Sequence, residues 1–209
     1  MKILNLKLLE YPKKYIQWYG TDVLKLVMFP PGKFIWKFRI ILHRIFWKLV
    51  WNIFDMHYIN TVNLKKGLID FGISEKKIEV KPVPHNMAIY SKKDHNKFTI
   101  LFFVRQEKSN QKYKDWIYGQ EYLEILKRRI DCHWIVVDGT YDMAEVYPYV
   151  DLYIKISQTI YNDLNRISKE CLLNKIDVIH FKAYQDNIED LVKWINIKKD
   201  IWLIKRKKK

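Results

Sequence analysis

Val150 to Ile179 is the stretch whose residue types and spacing come nearest to a chemical site. Val150 to Ser157 reads as a buried strand, the residues after it as a polar loop, the segment through Glu170 as a short helix with one acid in its first turns, and Ile176 onward as a second strand. A parallel α/β sheet uses this layout to present a carboxylate to a ligand at strand ends. Little else in the chain offers competing chemistry. His43, His57, His85, His95, His133 and His180 show no metal-ligand spacing, and Glu121 and Glu124 read as a solvated helix face. Cys132 and Cys171, each in an apolar context, argue against a disulfide framework and for a reducing cytosol.

The elements that must position such a site follow from hydrophobic periodicity. Phe98 to Val104 is the clearest core strand, with Arg105 at its end. A helix from Lys114 to Arg129, a strand from Trp134 to Val137 and an Asp138-Gly139 turn come next. Strand 150–156, helix 164–174, strand 176–181 and helix 186–196 complete the alternation. Upstream, Lys14 to Asp22 reads as a short strand running straight into a turn at Gly20-Thr21-Asp22, Asp55 to Val62 as a strand, Asn63 to a stop at Gly72 as a helix, and Ile78 to Val83 as a strand. From about residue 55 onward this alternation predicts an α/β protein: one Rossmann-like parallel sheet with helices on both faces.

Several segments, in order, resemble the retaining glycosyltransferases with the GT-B fold, family 4 type. In their nucleotide-sugar domain an apolar strand ends in Ser, a first acid follows, and a Glu-Ala pair with a Pro-Val-Ile strand comes later. Asn162 and Glu170, eight apart, stand in the two acid positions here. Gly20, Thr21 and Asp22 resemble the Gly-Ser/Thr-Asp that ends the family's N-terminal domain. Phe98 to Arg105 resembles the strand ending in Gly-Arg, with Val104 for Gly, and Lys112 to Asp115 resembles the following Lys-Gly-x-Asp, with Tyr113 for Gly.

The resemblance implies a nucleotide-sugar donor, no cofactor and no metal. It implies that Arg105 and Lys112 neutralise the diphosphate, whose negative charge grows as the glycosidic bond breaks. Glu170 would accept hydrogen bonds from the ribose hydroxyls, which two carboxylate oxygens suit. Asn162 would contact the donor sugar without charge, Arg166 matches an Arg between the two acids, and Gly139 a glycine turn near the base. Arg105 also reads as an ordinary solvated strand-end residue, Glu170 as a helix-surface acid, and Lys112 exchanges easily with Lys108 or Lys114. No Asp-x-Asp occurs, which disfavours the metal-dependent GT-A type. Most of the family's acceptor-binding domain has no counterpart here, so a pared-down enzyme, a subunit completed by a partner chain or a second copy, and a binding remnant all remain open.

The chain has 209 residues and a formal charge of +15, unevenly spread. Residues 1–60 carry ten Lys/Arg against three acids, and residues 201–209 carry five against none, so the centre is near neutral. The expected organisation is an N-terminal remnant over 1–59 containing a basic aromatic helix at 33–54, a nucleotide-sugar domain over 60–200 and a basic tail over 201–209. In the helix Lys33, Lys37, Arg44 and Lys48 fall within roughly 60° of one another at 100° per residue. Together with Lys205 to Lys209 that stripe fits a helix in an anionic membrane interface and a peripheral cytoplasmic protein. The same stripe fits a helix packed on its domain with its lysines in water. No apolar run is long enough to span a bilayer. A nonenzymatic protein using its basic termini on nucleic acid is the alternative, less favoured because the central domain is nearly neutral and lacks a recognisable reading motif.

Overall fold

A computed structural model describes residues 13–29, 34–82, 87–104, 111–161 and 166–208, with the side chains of residues 21 and 111–114 outside the description. The chain forms two compact units, Met1–Pro84 with Tyr161–Asp163, and His85–Ile160 with Leu164–Lys209.

In the first unit three short parallel strands, β1 (Tyr15–Gln17), β2 (Met56–Ile59) and β3 (Ile78–Val80), pair in the order β1-β2-β3. Helix α1 (Gly20–Val27) starts where the sequence predicts only a turn. Its eight residues are too few for periodicity to separate helix from strand, and packing decides. Helix α3 (Val62–Phe71) matches its sequence signals. Thr61 accepts a hydrogen bond from the Leu64 amide at 3.3 Å, and Gly72 at φ +110 closes it. Trp18, Val23, Leu26, Ile59, Leu68 and Ile78 join the core of this unit.

Helix α2 (Phe34–Val50) buries Ile40, with Trp36, His43 and Trp47 partly covered on the same side. Opposite, Phe34, Ile35, Phe38, Ile41, Leu42, Ile45, Phe46 and Leu49 are 36–83 % exposed, and they fall within about 140° of the helix circumference. Lys37 and Lys48 border this apolar arc on one side and Arg39 on the other, all exposed. Arg44 departs from the expected lipid-facing stripe. Its Nε donates to the Lys25 carbonyl at 2.9 Å and its guanidinium covers the Phe29 ring at 3.8 Å. Lys33 lies outside the described residues.

The second unit holds a four-stranded, fully parallel sheet of β4 (Thr99–Phe103), β5 (His133–Val137), β6 (Leu152–Ser157) and β7 (Asp177–Lys182), in the order β5-β4-β6-β7. Alternate residues serve opposite faces. Ile100, Phe102, Leu152, Ile154 and Ile156 pack under α5 (Gln120–Arg129) and α8 (Ile188–Lys207) through Leu123, Leu126, Leu191 and Ile195. Leu101, Val137 and Tyr153 face a second core with Val146 of α6 (Met143–Val146) and Cys171 of α7 (Arg166–Leu173).

The α/β expectation therefore stands, with two parallel sheets in place of one. The division falls after Pro84, not after residue 59, because β2 pairs with β1 and β3 instead of joining the later strands. Residues 201–207 continue α8 as helix, where a separate tail was expected. The helix expected over 114–129 is two, α4 (Gln111–Tyr118) and α5, broken at Gly119 with φ +73.

Candidate functional site

Connections leaving the carboxyl ends of β4, β5 and β6 carry every candidate named from the sequence. Strand order reverses between β4 and β6, since β4 leads to β5 on one side while β5 returns across it to β6 on the other. Ligand crevices of open α/β sheets form at such switch points, outside the carboxyl ends. Arg105 and Asn162 lie outside the described residues. Lys112 is in the first turn of α4, with its side chain outside the description. Gly139 follows β5 at φ +95, in a turn where Asp138 Oδ1 accepts from the Thr140 amide (3.0 Å) and hydroxyl (2.6 Å). Those bonds hold the Asp138 carboxyl below its ordinary range.

Buried polar side chains converge on β6 and α7. Of the seven buried polar or charged residues among those described, Lys155, Ser157, Thr159, Ser168 and Glu170 belong to the end of β6, the residues just after it, and α7. Interiors accept such groups only when they are hydrogen-bonded, so their concentration marks a built polar site. Lys155 Nζ donates to the Ile156 carbonyl at 2.7 Å, and Ser157 Oγ lies 2.5 Å from His180 Nε2 of neighbouring β7. Strand pairing sets Lys155 opposite His180 and Ser157 opposite Lys182, so the Ser157–His180 contact is diagonal across the ladder. Sequence reasoning missed Lys155, a cation inside an otherwise apolar strand. That break in pattern was the available signal.

Glu170 is held from two sides. Tyr147 Oη donates to Oε2 at 2.5 Å, and Arg166 Nε, one turn earlier on α7, donates to Oε1 at 2.6 Å. The Glu170 side chain is 9 % exposed and that of Arg166 60 %, so the buried carboxylate anchors a cation whose guanidinium reaches solvent. Burial, followed by the Glu170 contact, pushes the Tyr147 phenol far above its ordinary value; the carboxylate also raises Arg166. Glu170 is therefore neither a surface acid nor an open acceptor pair, since each oxygen already serves one donor. Each keeps a further lone pair. Asn174, one turn on, fastens the segment before β4 to α7 by accepting from the Tyr90 amide (2.7 Å) and donating to the Ala88 carbonyl (3.1 Å).

Burial raises the Cys132 thiol to about 12 and the Cys171 thiol further, so neither supplies a thiolate nucleophile near neutral pH. No cluster of three or more His, Cys, Asp or Glu suited to a metal ion occurs among the described residues.

Comparisons with protein-family models, curated proteins and solved structures return no match to this chain. The fold itself defines an α/β protein with parallel sheets flanked by helices, compatible with a Rossmann-like arrangement. No helix among the described residues is long and apolar enough to cross a membrane.

Proposed function

We propose that this chain is a nucleotide-sugar-dependent glycosyltransferase of the GT-B, family 4-like type, acting on an acceptor at a membrane surface. The observation that carries the reading is the convergence of buried polar groups on β6 and α7, beside the switch point of a parallel sheet, with Arg166 oriented by Glu170. A fixed guanidinium fork suits a donor phosphate, which it binds through two parallel hydrogen bonds. In this assignment Arg105, Lys112 and Arg166 share the diphosphate, and Glu170 positions Arg166 while offering its remaining lone pairs to the ribose. Asn162 and the Gly139 turn line the donor sugar and base. The bond from the sugar C1 to the phosphate oxygen breaks with its electron pair on that oxygen, the acceptor hydroxyl oxygen bonds C1, and the hydroxyl proton passes to the departing diphosphate. Cations around that diphosphate lower the barrier because they act where charge grows.

A calorimetric panel of UDP-, GDP- and ADP-glucose tests the donor site. One of them is expected to bind, and Arg166→Ala and Glu170→Gln to weaken it by about 1 to 2 kcal/mol, the scale of a lost charge-assisted hydrogen bond. Binding by none of the three sinks the assignment. A nonenzymatic nucleic-acid binder would instead bind RNA or DNA with a steep salt slope and ignore all three sugars.

The outward face of α2 supports the membrane surface. Eight large apolar side chains exposed on one arc, bordered by Lys37, Lys48 and Arg39 and with no acid in the helix, match the chemistry of an anionic interface. The chain is expected to co-sediment with phosphatidylglycerol vesicles and less with phosphatidylcholine. Ile45→Asp should lower the partition coefficient about tenfold through lost apolar burial. Equal sedimentation of both proteins would remove α2 from the contact.

A further inference from the structure

The amino edge of the second unit's sheet, opposite the rim discussed above, borders a cavity of about 770 Å³, within the common range for small-molecule sites. Its walls come from the segment before β4, the starts of β6 and β7, the loop between α7 and β7, and the last turns of α8. Six cations line it, Lys92, Lys93, Lys175, Lys198, Lys205 and Arg206, against three carboxylates, Asp94, Asp151 and Asp177.

Two cations are committed to protein carboxylates. Lys92 Nζ lies 2.7 Å from Asp151 Oδ1, whose other oxygen accepts from the Thr99 amide at 2.9 Å, and Lys198 lies 2.7 Å from Asp177. Lys93, Lys175, Lys205 and Arg206 remain, with Asp94 as the opposing charge. Arg206 is oriented rather than loose, lying over the Trp202 ring at 5.2 Å and donating to the His95 carbonyl. The negative end of the α8 dipole accounts for basic residues at that terminus, but it does not account for Lys175.

Lys175 takes φ +58, and no other described non-glycine residue has a positive φ. It terminates α7, its amide bonding the Leu172 carbonyl and the next amide, Ile176, the Cys171 carbonyl. Glycine is the usual residue at this left-handed position. The chain instead holds an ammonium there, on the cavity wall, in a strained backbone of the kind that collects at functional sites.

We infer that this cavity binds a small molecule carrying two or more phosphate groups. Several point charges and one oriented guanidinium around a solvent-open hollow suit a compact polyanion. Trp202 already has the Arg206 guanidinium and the stacked His95 ring, 5.7 Å away, packed against it, so the recognition is assigned to charge and not to base stacking. The inference stands independently of the nucleotide-sugar reading.

Isothermal titration of the full chain with inorganic tripolyphosphate at fixed salt is the test. Tripolyphosphate is expected to bind, and Lys175→Gly with Lys205→Ala to weaken it at least tenfold, while Lys37→Ala with Lys48→Ala leaves it unchanged. Lys175→Gly alone should weaken binding yet raise Tm by about 2 °C, because glycine relieves the backbone; a structural role for the ammonium would lower Tm instead. Vesicles bearing a bisphosphorylated inositol headgroup form a second arm. Competition between them and tripolyphosphate, lost in the double variant, identifies a lipid source, and tripolyphosphate binding that leaves vesicle capture through α2 uncompeted identifies a free one. No binding, equal weakening by the Lys37/Lys48 pair, or capture of single-stranded RNA without tripolyphosphate binding overturns the inference.

Discussion

Gly119→Ala lowers the midpoint of thermal unfolding by about 10 °C. At φ +73 a side chain is strained whatever the space, which costs on the order of 1–3 kcal/mol. Space is also lacking. A Cβ on Gly119 would stand 2.6, 2.7 and 2.8 Å from Cγ2, Cβ and Cγ1 of Ile156. Ile156 is 2 % exposed in the main core and branched at Cβ, so rotation about χ1 cannot clear its own Cβ from the contact. Overpacking of this kind costs a further 1–3 kcal/mol or so, and about 3 kcal/mol in total corresponds to about 10 °C for a chain of this size.

Gly72→Ala is the internal control. Its φ is +110, but an added Cβ meets nothing within 4 Å, so only the backbone cost applies. Scanning calorimetry of both variants separates the terms, and a Gly119→Ala shift no larger than that of Gly72→Ala would show that β6 and α4 yield. The position bears on function because Gly119 ends the helix that carries Lys112 and seats it against the strand that ends at Ser157.

Acid weakens the first unit through His57 well before its carboxylates protonate. The ring is fully buried among Trp18, Trp51 and Phe54, and Trp18 Nε1 donates to Nδ1 at 3.0 Å, a bond that requires the neutral tautomer protonated on Nε2. Burial lowers its pKa from 6.5 to about 4, with Lys77 adding to the shift. Between those values the unfolded chain binds the proton and the folded chain does not. Stability is therefore full above about pH 6.5, falls as pH drops, and reaches its full loss below about pH 4. The difference corresponds to about 3 kcal/mol. His43, lowered by burial and by Lys25, contributes with the same sign.

Urea midpoints measured from pH 7.5 down to 4.5 should decline along this curve. His57→Gln should be less stable at pH 7.5, having lost the buried ring, yet show a flatter decline. A His57 ring that titrates near 6.5 by NMR would refute the burial argument.

Much of the second unit was legible in the sequence because its strands are buried on both faces and its helices are long enough to show a period. β4, β6 and β7 lie within one or two residues of their expected bounds. Gly139, Arg166 and Glu170 follow the carboxyl ends of β5 and β6 for the same reason, since connections after parallel strands must leave from there. What Glu170 touches was not legible. Tyr147, 23 residues away, enters the second core through a short turn that no periodicity marks, and it converts an expected open acceptor into an anchored one. α2 shows the same limit. Its sequence is apolar almost all round, so the four-cation stripe was the only visible asymmetry, and packing drew Arg44 inward.

Local spacing and hydrophobic alternation thus determined an α/β chain, a parallel sheet in its second half and which residues fall in the connections between its strands, because those depend on neighbours a few residues apart. Tertiary contacts alone decided that there are two sheets, which face of α2 stays bare, that Arg166 rather than Glu170 reaches solvent, and that a basic cavity lies at the opposite edge. Each of these depends on residues distant in sequence meeting in space, where geometry and desolvation, not pattern, choose the partner.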